Sequence, residues 1–502
     1  MDDIRLKRLV IVGGGSAGWM TAAALSSLLD SRKIQITLVE SEQIGTVGVG
    51  EATIPDMINF NRMLGISEVD FMKATDATFK LGIEFANWGR KGDSYFHPFG
   101  EHGVDMQGVD FHQYWLLSHQ SGSDHPIEDY SLCAAAGKAN KFCLPSQNPK
   151  SVLSKLRYAY HFNATKYAKF LRFYAEKRGV TRIEGKVETV SVAPESGHIQ
   201  TLRLDNGTTI EGDFFFDCTG FRSLLMRQTL GVKFEDWRHW LPCNSAQTVA
   251  CEHTDILPSY TRSTAHSAGW QWRIPTQSRT GNGHVYSTDF MDDDTAHQIL
   301  MQGLDGAPIN EARTIRFKTG CLEKFWYKNC IGIGLSSGFL EPLESTSLYL
   351  IQMGISKFIS LFPSGALQPV VVAEYNRQMR QQFDQVRDFI ILHYCATERN
   401  DSPFWNYCRT MAIPDSLEHK IELFREAGRV FRYEDELFSR PSWIAVMLGQ
   451  NIVPKVCDPI VATLEQAQVD HSLNSMHRAM ADAAEKMPTH AAFIGQYCKA
   501  NG

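Results

Sequence analysis

Leu9-Val10-Ile11-Val12 is an unbroken apolar run, the pattern of a strand buried on both faces, and it leads directly into Gly13-Gly14-Gly15-Ser16-Ala17-Gly18-Trp19. The periodicity then predicts a helix over 16–29 and a strand over 34–39 that ends beside Glu40. Strand, glycine turn, helix, second strand and acid make one βαβ unit. Residues 79–85 alternate like a strand and put Lys80 and Glu84 on one face. A helix is expected over 165–178, a strand over 180–190, and a hairpin from the strand 199–204, the turn Asp205-Asn206-Gly207 and a second strand from Thr208. The apolar run Phe214-Phe215-Phe216 closes on Asp217-x-x-Gly220, which places an acid and a flexible turn at a ligand-holding sheet edge. Trp270, Trp272 and Ile274 share one face by two-residue alternation. From about Val370 the pattern turns helical, with helices expected over 375–393, 416–429, 443–448 and 459–480.

These elements define an α/β protein: a Rossmann-type box, an interleaved β-rich region and a helical C-terminal layer covering the ligand edge. The expected division is 1–369 for the box with its interleaved segments and 370–502 for the helical region.

Composition narrows the classes. A length of 502 residues with 43% hydrophobic content supports a large core. A net charge of -6 and the lack of a long Lys/Arg run argue against nucleic acid and anionic lipid as partners. No apolar run approaches the roughly 18 residues of a membrane helix. Eleven scattered cysteines without zinc spacing point to free thiols and a cytoplasmic location.

The glycine spacing Gly13-x-Gly15-x-x-Gly18 carries the first chemistry. One glycine allows the tight turn, one lets the backbone approach a pyrophosphate, and one permits close helix packing, while the amides at Ser16 and Ala17 face the phosphates and Glu40 meets the ribose. Residues 44–55 are too glycine-dense for helix or strand and are expected to form a loop at the cofactor, with Pro55 opening the next helix. Between Tyr95 and His102 aromatics gather with two histidines, but Pro98 and the spacing argue against a zinc motif, and no metal is expected. Residues 329–347 run from a short strand into a small-residue loop. Ser345 or Thr346 would cap the helix that follows, and its free amides would attract an anion. Gly334-x-Ser336-x-Gly338 also fits a nucleophile elbow, yet no oxyanion segment accompanies it.

Gly13-x-Gly15-x-x-Gly18, Gly48-Val49-Gly50-Glu51-Ala52-Thr53, Trp270-x-Trp272-x-Ile274-Pro275 and Pro342-Leu343-Glu344-Ser345-Thr346 together resemble the flavin-dependent halogenases of the tryptophan-halogenase type, across nearly the whole chain. The resemblance implies a flavin-monooxygenase-like fold and an enzyme that uses FADH2 from a separate flavin reductase, O2 and a halide ion to make hypohalous acid. The acid then travels to a lysine beside a small aromatic substrate, with indole, an indole derivative or tryptophan expected and either chloride or bromide as the halide. Lys80 matches that lysine, and Glu344 matches the carboxylate that polarises the oxidant or takes the ring proton. Thr346 and Ser347 stand where the family binds halide with a Thr-Gly pair. Ala52, Val187, Leu335 and Leu348 align with flavin contacts, and His97 and Phe99 with the rings that sandwich the indole. Trp443 is a candidate stacking wall. The segment 431–443 does not match the clamp that grips free tryptophan's amino-acid end, so a more open pocket is expected. A hydroxylating flavin monooxygenase is the alternative, and the oligomeric state, a homodimer among the options, is left open.

Overall fold

The computed structural model describes residues 6–44, 50–363 and 366–500. Its organising sheet has six strands in the order Trp326–Tyr327, Cys330–Gly332, Phe214–Asp217, Arg8–Val12, Gln35–Glu40 and Thr181–Glu184. All pairs are parallel except the first. Leu9, Val10, Ile11 and Val12 lie at the centre and are buried, as a doubly covered parallel strand requires. The helix Ser16–Leu28 follows with Gly15 as its N-cap. Val12, Glu40, Asp217 and Gly332 therefore end at one edge of the sheet, where α/β proteins bind ligands.

Beside it stands a seven-stranded mixed sheet, in the order Arg313–Arg316, Ser245–Cys251, Thr280–Tyr286, Gly269–Pro275, Thr261–His266, Gly82–Ala86 and Ser94–Pro98. A small antiparallel sheet has Ala159–Asn163 at its centre, paired with Gly50–Ala52 on one side and Thr78–Lys80 on the other. The C-terminal layer contains Pro369–Cys395, Asp415–Ala427, Arg440–Gly449 and Gln466–Glu485. One apolar cluster runs continuously from the first strand into these helices, so the layer is part of the core. Among the described residues no helix is long and apolar enough to cross a membrane. The eleven cysteines are all free.

Three sequence expectations need correction. Residues 79–85 are not one strand: Thr78–Lys80 pairs with Ala159–Asn163, and Gly82–Ala86 joins the seven-stranded sheet. The chain changes sheets at Leu81, so Lys80 is buried while Glu84 pairs with Arg262 at a more open position. Gly82 makes the change possible, because a Cβ there would stand 2.4 Å from the His97 carbonyl. The segment 180–190 divides at Gly185 (φ +154°) into Thr181–Glu184 and Val187–Val192. Within the glycine-dense stretch, Gly50–Ala52 is a strand paired with Ala159–Asn163, while 45–49 lie outside the described residues.

Candidate active site

At the first glycine turn the three motif positions do three different jobs. Gly13 has φ +116°, and a Cβ on it would lie 2.2 Å from the Cys218 carbonyl. A Cβ on Gly18 would lie 1.8 Å from the Gly13 carbonyl, so this glycine allows the helix to seat on the turn. Gly15 faces open space, with nothing within 4 Å of a Cβ. That opening, at the amide end of a helix whose N-cap makes no side-chain hydrogen bond, fits a pyrophosphate. Ser16 and Ala17 begin this helix, and their amides have no acceptor within it.

Gly14 is the position the motif leaves unspecified, yet a Cβ there would fall 1.4 Å from Oε2 of Glu40. Glu40 thus sits against the turn, as the ribose reading requires. Its Oε1 accepts from Arg182 Nε at 2.5 Å, so an arginine shares the carboxylate, a partner sequence reasoning missed. Leu335 lies in the short helical turn Gly334–Ser336, and a Cβ on Gly334 would meet Ala17 Cβ at 2.9 Å, which places this loop on the first helix. Val187 is buried in the cluster containing Val12 and Val39.

Asp217 is not a free acid. Its carboxylate accepts from the amides of Thr219, Leu225 and Met226 and from the Thr219 hydroxyl, fixing the chain after the strand. Ser336 donates its hydroxyl to the carbonyls of Asp217 and Ile333, which removes the nucleophile-elbow reading.

The second centre is buried and assembled from distant parts of the chain. Lys80 is 0% exposed. Its Nζ donates to the Thr53 carbonyl at 3.1 Å and to Ser345 Oγ at 2.7 Å, and lies 5.0 Å from the centre of the Phe99 ring. Burial lowers its pKa to about 7, and the charge on Glu344 only partly opposes this. Thr53 directly follows Ala52, so the small sheet connects a predicted flavin contact to the lysine.

Glu344 closes the turn Pro342–Glu344, and Ser345 behind it takes the left-handed conformation at φ +60°. His97 Nδ1 stands 3.0 Å from each carboxylate oxygen, and His393 Nε2 stands 2.8 Å from Oε1. Burial pushes the Glu344 pKa up, but the two histidines outweigh it and bring it to about 2. Glu344 is therefore ionised at neutral pH and can accept a proton but has none to donate.

Three residues earlier, Glu341 is buried in a different setting. Oε2 accepts from Trp270 Nε1 at 2.9 Å and from the Tyr394 hydroxyl at 2.6 Å, and Oε1 has no protein partner. Burial raises this carboxyl to about 7 against those two hydrogen bonds. Trp270, which the alternation puts on one face with Trp272 and Ile274, is thus also a donor.

Thr346 is the N-cap of the helix Ser347–Ser360, but its hydroxyl makes no cap bond and is a buried polar atom without a protein partner. With the first-turn amides at Ser347 and Leu348 it supplies donors of the kind that can hold a halide. His97, Phe389 and Trp443 lie in one aromatic cluster: Phe389 meets Trp443 edge-on at 4.9 Å, and Phe438 stacks on Phe389 at 3.7 Å. Phe389, Phe438 and His393 were not found from the sequence. A helix pattern at 386–394 gives only a buried apolar face, and nothing local distinguishes its histidine from a core histidine.

The tryptophan halogenase family model matches residues 8–466. The chain belongs to the tryptophan halogenase family. A tryptophan 6-halogenase from Streptomyces toxytricini is 35% identical over 97% of this chain and 98% of that one. Among solved structures, a flavin-dependent halogenase from Xanthomonas campestris matches with TM-score 0.95 and 47% identity, covering 99% of each chain. Another, from Brevundimonas sp. BAL3, matches with TM-score 0.94 and 45% identity over 98% of this chain and 99% of that one. The chain is thus an oxidoreductase of the flavin-dependent halogenase class, and the hydroxylating alternative is not favoured.

Proposed function

We propose that this halogenase places chlorine or bromine on an electron-rich aromatic ring, indole or an indole derivative including tryptophan, with Lys80 carrying the halogen and Glu344 taking the ring proton. The observation that carries the reading is the environment of Lys80. As an uncharged amine it has two hydrogens, both engaged by Thr53 and Ser345, and one lone pair left over. A buried amine that is half uncharged near pH 7 is a nucleophile toward hypohalous acid.

Reduced FAD, supplied by a separate flavin reductase, provides with O2 the oxidising power that turns halide into hypohalous acid. The open face at Gly15, the amides at Ser16 and Ala17, and Glu40 would hold the cofactor, with Ala52, Val187, Leu335 and Leu348 as further contacts. Thr346 and Ser347 would hold the halide. On the substrate side, the Lys80 amine displaces hydroxide from halogen, and that hydroxide leaves as water with the amine's proton. The haloamine nitrogen takes up a proton from solvent as its halogen passes to the ring carbon, which restores the neutral amine, and the ring proton goes to Glu344 and from there to solvent. The sum is arene plus hypohalous acid giving haloarene plus water. A carboxylate kept ionised by two imidazoles is a weak base, which suffices because a ring carbon that has taken up halogen gives up its proton readily.

His97, Phe99 and Trp443 would flank the ring, joined by Phe389 and Phe438. Within 431–443, Glu436 is occupied by Lys420 at 2.7 Å and by the Tyr433 amide. The buried carboxylate of this segment is therefore engaged, while Glu434 and Asp435 beside it face solvent. Free cysteines throughout support a cytoplasmic location.

The test is mass spectrometry of products from the protein, FAD, a flavin reductase, NADH and O2, with indole and tryptophan in separate chloride and bromide buffers. A halogen isotope pattern, stronger with indole, is expected. Oxygenated product without halogen would overturn the reading.

A further inference from the structure

A buried carboxylate and a buried amine in one site would ordinarily pair, because an unpaired buried charge costs several kcal/mol. Lys80 Nζ is already 2.7 Å from the hydroxyl of the residue next to Glu344. Among the described residues, however, Lys80 makes no ion pair with any carboxylate. Glu344 faces two imidazoles instead: His97 on Ser94–Pro98 and His393 on Pro369–Cys395.

The two histidines are held differently. His97 belongs to the aromatic wall and has Phe389 and Phe438 beside its ring, at 5.7 and 6.5 Å. His393 is fixed from behind. Its Nδ1 donates to the Phe389 carbonyl one helical turn back at 2.9 Å, its ring lies against Phe85 at 4.7 Å, and its own carbonyl accepts from Gln450 at 3.0 Å. With Nδ1 committed as a donor to a carbonyl, Nε2 is the ring nitrogen left to face Glu344 Oε1. The approach is close but out of line for a directed hydrogen bond, so the imidazole edge occupies one side of the carboxylate by proximity.

We propose that His393 is a positioning residue: with His97 it holds the Glu344 carboxylate away from Lys80, and so leaves the lysine amine uncharged to meet hypohalous acid. This rests on the reading of Lys80 as the halogen carrier. The other titratable groups facing this pair are Tyr95 and His102 on the His97 side and His161 beside Lys80, and none of them is a carboxylate that could take the place of Glu344. The usual fate of a buried helix histidine, bonding to its own helix, is already satisfied by Nδ1 alone.

The experiment follows the protonation of Lys80 in the full chain with FAD bound, by NMR of ε-13C-lysine and with Lys80→Met to assign the resonance, so no turnover is needed. In His393→Phe, which keeps an aromatic ring but removes both nitrogens, the Lys80 midpoint is expected to rise by at least one pH unit, a roughly fivefold or greater loss of uncharged amine at pH 7. His393→Gln, which keeps a donor near the carboxylate, should rise less and guards against misfolding of the phenylalanine variant. Adding Glu344→Gln to His393→Gln should bring the midpoint back toward that of Glu344→Gln alone, which a purely structural role for His393 would not do. A Lys80 midpoint that stays fixed in both folded His393 variants would overturn the proposal. If the midpoint moves as expected while Lys80→Ala still halogenates fully, the geometry stands and the carrier reading falls.

Discussion

The glycine turn at 13–18 and the centre around Lys80 solve opposite problems. The first offers a large polyanion mainly backbone, with the Glu40 side chain beside it: a left-handed glycine, a close-packed glycine, an open glycine and the amide end of a helix. The second must keep reactive side chains dry, and every group in it is buried: Lys80 at 0%, Glu344 at 1%, His97 at 3% and His393 at 0% exposure. Backbone sites need residues close in sequence, because amides are fixed to their neighbours. Side-chain sites can draw on strands and helices hundreds of residues apart, and here positions 53, 80, 97, 345 and 393 converge on one lysine and one glutamate. Recognition and chemistry are therefore separable, and perturbations in one region should leave the other largely intact.

The first way to press that comparison is Glu344→Gln. It should lower the rate of ring halogenation about 10²- to 10⁴-fold, the range of a lost general base, while FAD affinity measured by fluorescence stays at the wild-type value. On the recognition side, Gly15→Val should weaken FAD binding by about tenfold or more at a nearly unchanged Tm, since a Cβ there has none of the described residues within 4 Å. Gly18→Val should instead lower Tm, because its Cβ would clash with the Gly13 carbonyl. Equal Tm loss in both would break the assignment of jobs within the turn.

Smaller effects follow from pH. With Lys80 near 7, the uncharged fraction rises roughly tenfold from pH 6 to pH 8, and the halogenation rate should rise with it at saturating substrate. The same depressed pKa means the unfolded chain binds more protons between about 7 and 10.5, so this group makes folding more favourable as pH rises through that window. A flat rate profile would separate Lys80 from the rate-limiting chemistry. The smallest effect is at Glu341. Its raised pKa means the folded chain holds the extra proton between about 4.5 and 7, so its contribution is full at low pH and is lost as pH rises through 7. Glu341→Gln should keep most activity and gain Tm relative to wild type at pH 8, with the difference shrinking toward pH 5.

The two regions also differed in how far they could be read from sequence. The βαβ unit was legible because its strand, turn, helix and acid are consecutive, and the helix Ser16–Leu28 and strand Gln35–Glu40 fall within a residue of their expected limits. Gly14 carried no motif weight, and only the fold shows Glu40 pressed against it. Lys80 and Glu344 came from family resemblance, since a lysine in an alternating strand ordinarily faces solvent. The sheet change at Leu81 that buries Lys80 has no local periodicity. His393 and Tyr394 are adjacent in a long helix yet serve different carboxylates, Glu344 and Glu341. That pairing depends on how the helix docks and on nothing within it.

The central claim is that oxidant made on the flavin side acts through Lys80 on the substrate side. Its most direct measurement is the yield of halogenated indole per reduced FAD oxidised, in bromide buffer, for wild type and Lys80→Ala side by side. The account predicts wild-type flavin oxidation in Lys80→Ala with no halogenated indole. Halogenated indole at the wild-type yield from Lys80→Ala would contradict it.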